Sequence, residues 1–224
     1  QEKWESAKRI LEKGIAIKPS KPAYNNLAVA HYHLKNKEEA SNYFLLGSVP
    51  SDYAMYSHII CLIELGHHRE AKRKLDAFSE KDDEFVGEVE VAELYVELGC
   101  YQEALEWFEK AWDVYYKHSS WILRYIYSLL KMNQGNRAQE RLDEVINKMA
   151  KEIKETSEEE CDEDWTESDK EFALNELLQE KKECEQMIGK ISSGYIPTLE
   201  FTPSIQKACY LFGCNRHNHP EYQG

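Results

Sequence analysis

The chain has 224 residues, is 42% hydrophobic and 31% charged, and carries a formal net charge of −13. That apolar content is enough to bury helix faces, no run of about 18 apolar residues offers a membrane-spanning helix, and the sign of the charge argues against a phosphate backbone as ligand. The acidity is local: residues 151–171 hold 11 of the 41 acidic side chains and three basic ones, a net of −8 within the total of −13.

Residues 2–17 read as a helix with Trp4, Ala7, Ile10, Leu11, Gly14 and Ile15 on one side, stopped by Pro19. It has the pattern of the second member of a helix pair, so Trp4 and Leu11 are expected to present a face that a neighbour covers. Four helix pairs follow, at 22–34 with 37–48, 52–65 with 68–79, 84–98 with 101–117, and 119–133 with 136–155. Their short connections force antiparallel neighbours. One small residue recurs where close packing needs it: Ala7, Ala40, Ala71, Ala104 and Ala138 are separated by 33, 31, 33 and 34 residues. Leu98-Gly99 and Leu65-Gly66 precede two of these alanines, Leu34 a third and Gly135 a fourth. Self-similarity at this period marks a stacked helix–turn–helix array.

The third pair carries the pattern most fully, through Ala92, Tyr95, Leu98, Gly99, Tyr101, Ala104, Phe108 and Ala111. The first helix matches through Ala7, Leu11, Gly14 and Pro19, and the pair after it through Leu27, Ala28, Leu34, Ala40, Phe44 and Gly47. His58, Ile59, Leu75 and Phe78 stand for the second pair, and Tyr125, Ile126, Leu142 and Val145 for the fourth. In these residues the chain resembles the tetratricopeptide repeat family over roughly residues 1–150. The resemblance implies an all-α, right-handed superhelical solenoid of antiparallel helix pairs, non-catalytic and given to binding proteins.

Residues 151–171 break the composition and are expected to form an acidic linker, since Glu158-Glu159-Glu160 and Asp162-Glu163-Asp164 repel one another and bury nothing. Ser168 and Glu171 have capping-box spacing ahead of an amphipathic helix over 172–192. That helix, with Phe172, Leu174, Leu177, Leu178, Cys184, Met187, Ile188 and Ile191 on one stripe, would cap the array. The tail 193–224 is rich in large apolar residues and is expected to pack on the array, with a short helix from Pro203 to Phe212.

In such an array the first helix of each pair faces inward. The inner stripe is then Asn25, Val29 and Tyr32, followed by Tyr56, Ile60 and Ile63, by Val89, Glu93 and Val96, and by Leu123, Tyr127 and Leu130. Ten of these twelve are apolar or aromatic apart from Asn25 and Glu93, and Glu64 and Glu97 flank them. Patches of this extent meet partners, although single residues of the stripe would wedge between neighbouring helices instead. A groove for an apolar or aromatic, mildly basic peptide or helix follows, with Glu64, Glu93 and Glu97 selecting against acidic partners. The alternative is a structural subunit that meets a larger assembly through its array ends, its groove filled by Tyr195, Ile196, Leu199 and Phe201 of its own tail.

Cys209, Cys214, His217 and His219 could supply tetrahedral zinc, but not at the spacing of a standard finger, and two thiols beside an exposed polar end are the simpler expectation. His31 and His58 fall on packing stripes, whereas His67 and His68 sit in a turn. No phosphate loop, nucleophile elbow or zinc-protease helix is present, so neither catalysis nor a cofactor is expected. The six cysteines lack the spacing of a disulfide scaffold, which suits a reducing, cytoplasmic setting.

Overall fold

The computed structural model describes residues 2–48, 52–78, 86–196, 199 and 205, and every regular element among them is an α-helix. The helices are α1 (Glu2–Ile17), α2 (Lys21–His33), α3 (Lys37–Gly47), α4 (Asp52–Glu64), α5 (His68–Leu75), α6 (Glu88–Glu97), α7 (Tyr101–Trp112), α8 (Ser119–Lys131), α9 (Gly135–Glu158) and α10 (Glu167–Ser192). They form two compact units, residues 1–90 together with Ile205, and residues 91–200. The architecture is that of an all-α helical repeat.

One turn recurs at four of the helix–helix connections. Lys35, Gly66, Gly99 and Asn133 take positive φ, at 67°, 79°, 71° and 58°. In each case the next amide reaches back to the carbonyl five residues earlier: Asn36 to His31, His67 to Leu62, Cys100 to Tyr95 and Gln134 to Leu129. The left-handed residue's own amide bonds the carbonyl three back, which completes a Schellman closure of the first helix. The residue after it becomes the N-cap of the second helix, and Asn36, His67, Cys100 and Gln134 all do so without a side-chain capping bond. Each alanine of the repeat lies five residues beyond the left-handed position, and Ala40, Ala71, Ala104 and Ala138 are all fully buried. The fourth turn corrects the sequence expectation. Asn133, not Gly135, adopts the left-handed conformation, which asparagine tolerates, and Gly135 opens α9.

In the first unit α1 packs on α2, α2 on α3, α3 on α4 and α4 on α5. Leu27, Ala28, Phe44, Ile59 and Leu75 fill the interior. Gly47 lets α3 approach the backbone of α2: a Cβ there would lie 3.2 Å from the Asn25 nitrogen and 3.2 Å from the Lys21 carbonyl oxygen. Helix α1 buries no residue completely. Trp4 stacks on His33 at 4.1 Å between ring centroids, and Trp4 and Leu11 are half-buried, so the large apolar residues left exposed on α1 are Ile10 and Ile17.

The second unit packs α7 on α8, α8 on α9, and α10 on both α9 and α8. Phe108, Trp112, Trp121 and Tyr125 form an aromatic core with centroids 5.4–6.1 Å apart. Helix α7 ends at Trp112, five residues short of the expected boundary. Lys117 turns back there to donate to the carbonyls of Trp112 and Tyr115 with its ammonium over the Trp112 ring, so a side chain satisfies the helix end. Helix α9 continues to Glu158, eight residues into the segment expected as linker, carried by the i,i+4 pairs Lys148–Glu152, Lys151–Glu155 and Lys154–Glu158.

Helix α10 begins earlier than expected because Thr166 and Asp169, not Ser168 and Glu171, form the capping box. Of its apolar stripe Cys184 and Met187 are buried, Leu174, Leu177, Ile188 and Ile191 are half-buried, and Phe172 and Leu178 are exposed. In the tail, Tyr195 and Ile196 are exposed, Leu199 is half-buried and Ile205 is buried. Phe201 and, apart from Ile205, the residues of the helix expected over 203–212 lie outside the described residues.

Candidate interaction face

Helix α4 decides the character of the inner stripe in the first unit. Every residue from Tyr56 to Ile63 is buried, so a helix that is apolar nearly all round has become core. Tyr56, Ile60 and Ile63 therefore sit in the interior, and Asn25 and Val29 of α2 are buried with them. The Asn25 amide nitrogen has no hydrogen-bond partner among the described residues, a cost of about 1–3 kcal/mol for a buried donor.

Tyr32 remains half-buried, and its hydroxyl donates to Glu64 at 3.1 Å. Burial, with the adjacent carboxylate, holds the phenol well above its usual pKa, so it stays a donor. Lys37 meets the same carboxylate at 3.2 Å. His58 is a core histidine: it is buried, and its Nδ1 lies 2.9 Å from both the hydroxyl and the carbonyl of Ser41. His31 is likewise buried and stacks on Tyr43. Burial pushes the pKa of each imidazole down. His67 and His68 are exposed.

Val89 is half-buried near the start of α6. The second unit carries the rest of the stripe in a different state. Val96 and Leu130 are buried, but Glu93, Glu97, Leu123 and Tyr127 remain half-buried. Arg124 organises them from α8, its Nη1 donating to Glu97 at 2.7 Å and its Nε lying 3.5 Å from Glu93. Burial raises the Glu97 pKa, and Arg124 opposes that shift. Tyr101 meets the Tyr127 ring edge-on at 5.9 Å, and the Lys131 ammonium lies 5.2 Å from the centroid of the same ring. The result is a partly open aromatic and aliphatic surface, Tyr127 and Leu123, beside a carboxylate pair already joined to a cation. The three carboxylates expected to repel acidic partners thus each hold a basic group, Glu64 through Lys37 and Glu93 and Glu97 through Arg124. The bridging role of Arg124 rests on one long side chain of α8 reaching α6.

Among the described residues Cys61, Cys100, Cys161 and Cys184 are not joined in disulfides. Burial pushes Cys61 and Cys184 up to about 12, which keeps them as neutral packing groups near neutral pH. Cys209, Cys214, His217 and His219 lie outside the described residues. Among the described residues no group of three or more histidine, cysteine or acidic side chains could hold a metal ion, and no helix is long and apolar enough to cross a membrane.

Residues 23–45, which span most of α2, its left-handed turn and most of α3, match the tetratricopeptide repeat family. No curated protein matches the chain.

Proposed function

We propose that this chain is a non-catalytic scaffold that binds a protein segment, and that in the second unit the segment lies on the face formed by Leu123 and Tyr127 of α8 beside Glu93 and Glu97 of α6. One observation supports this most directly: Tyr127 and Leu123 stay half-open on a helix whose other apolar residues are buried. A rigid helical face loses little conformational freedom on binding, so the ordering cost falls on the peptide alone. The apolar surface beside carboxylates suits an apolar or aromatic segment of neutral to mildly basic character, and free thiols suit a cytoplasmic setting.

The test is to identify partners by affinity purification with cross-linking, and then to measure the affinity of the captured segment for Tyr127→Ala. Loss of a central aromatic anchor weakens such complexes by about 2 kcal/mol or more, about thirtyfold. An unchanged affinity in a folded variant removes the face from consideration.

A second reading, a structural subunit whose tail seats on its own array, draws support from Ile205, which is buried and groups with the first unit. Deleting residues 195–224 separates the two. Peptide affinity stays constant under the scaffold reading and rises under the tail-filled one.

A further inference from the structure

A cavity of about 480 Å³ lies within the second unit, between α9, α10 and the loop that leads into α8. Its lining combines three kinds of surface. Ala173 and Leu177, one turn apart on α10, are aliphatic; Tyr116 contributes an aromatic ring that is 41% exposed, with the His118 ring at 4.6 Å and the Lys148 ammonium at 5.9 Å from it; and Glu152, Glu176 and Glu180 bring carboxylates from two helices. Two of those carboxylates are engaged. Glu152 accepts the Tyr116 hydroxyl at 3.0 Å and lies 3.8 Å from Lys148, while Glu180 accepts from His118 Nδ1 at 2.9 Å. Glu176 meets no cation among the described residues, although it stands one turn from Glu180 on the same face of α10.

An aliphatic floor, an aromatic wall and an unneutralised carboxylate beside an engaged one are the surfaces that a long basic side chain needs. The methylene stem is buried on aliphatic carbon, the cation faces the ring, and the planar head donates to carboxylates. Arginine fits this better than lysine, because its guanidinium stacks on rings and donates in a fork to carboxylates where an ammonium is a hydrated point charge. Anionic ligands are repelled by the same lining. We propose that this cavity receives one arginine side chain from a protein partner, with its stem on Ala173 and Leu177 and its guanidinium between Tyr116 and Glu176. The site shares no residue with the α6–α8 face, so it stands or falls separately from that reading.

The probe is the peptide acetyl-Gly-Ala-Arg-Ala-Gly-amide, titrated into the isotope-labelled full chain while amide shifts are followed by NMR. Saturable shifts at residues 116–118, 152–156 and 173–180 are expected. The dissociation constant should rise about tenfold when Glu176→Lys reverses the free charge, and about tenfold when the peptide's arginine is replaced by neutral citrulline. That is the loss of about 1.4 kcal/mol. Tyr116→Ala should weaken binding as well, with its melting curve checked in parallel, and Tyr127→Ala should leave it unchanged. Shifts that never saturate, that are strongest at residues 158–164, or that citrulline reproduces would overturn the assignment. So would equal affinity for Glu176→Lys.

Discussion

The two units put corresponding helices, α4 and α8, to opposite ends. In the first, α4 buries eight consecutive residues, Tyr56 to Ile63, and Tyr32 of α2 is left half-buried. In the second, α8 interrupts its apolar residues with Arg124 and Lys131, and Leu123 and Tyr127 stay half-open. A continuous apolar stripe is therefore a poor guide to a binding face, because the same residues serve equally well as core. A stripe broken at helical spacing by charges that pair with a neighbouring helix keeps its surface partly in water.

The largest test of this contrast is truncation. Ile60→Ala should destabilise the chain by about 2–5 kcal/mol in urea denaturation, as for other fully buried aliphatic residues. Tyr56→Ala should behave similarly, and Tyr127→Ala should cost clearly less. If Ile60→Ala left the midpoint where it was, α4 would not be core. Next in size is overpacking. Ala104→Leu places three further carbons at a fully buried site and should cost about 1–3 kcal/mol, with far-ultraviolet circular dichroism retained.

Acid should separate the units. His31 and His58 have lowered folded-state pKa values, so the unfolded chain binds protons first. Their contribution to stability is complete above the unfolded imidazole pKa of about 6.5 and is lost as pH falls through and below it. The second unit has no buried histidine among its described residues, and Glu97 is shifted in the opposite sense. Hydrogen exchange at pH 7.5 and 5.5 should therefore show protection falling in α2–α4 before α8. Equal loss in both would contradict the assignment of the two imidazoles as neutral core groups. The smallest effect belongs to the capping box: Thr166→Ala should cost about 1 kcal/mol, read as faster exchange in the first turn of α10.

The helix pairs and their period were legible because a buried alanine and an apolar stripe leave marks that spacing reveals. The turns were half legible. Gly66 and Gly99 announce a left-handed residue, whereas Lys35 and Asn133 adopt the same conformation with side chains that do not require it. The end of α7 was not legible, since Asp113-Val114-Tyr115 contains no helix breaker and the stop comes from Lys117 folding back on carbonyls. The stripe's composition was plain in sequence, but its division into closed and open parts was not. Burial of Tyr56 depends on what packs around α4, which lies beyond the reach of periodicity. The Tyr116 cavity left no motif either, because its lining comes from segments up to 64 residues apart.

The repeated turn has a practical consequence for handling the molecule. Since its closing bonds are all backbone to backbone, the residue that follows the left-handed position is released from any capping duty. Cys100 occupies one such place, with a half-buried thiol that meets the Leu98 carbonyl at 3.7 Å and makes no capping bond to the start of α7. A nitroxide or small fluorophore attached to Cys100 would ride on a rigid backbone anchor, four residues from Ala104 and one from Tyr101, whose ring meets Tyr127. The chain thereby supplies its own attachment point for a reporter beside the face on which a partner segment is expected to settle.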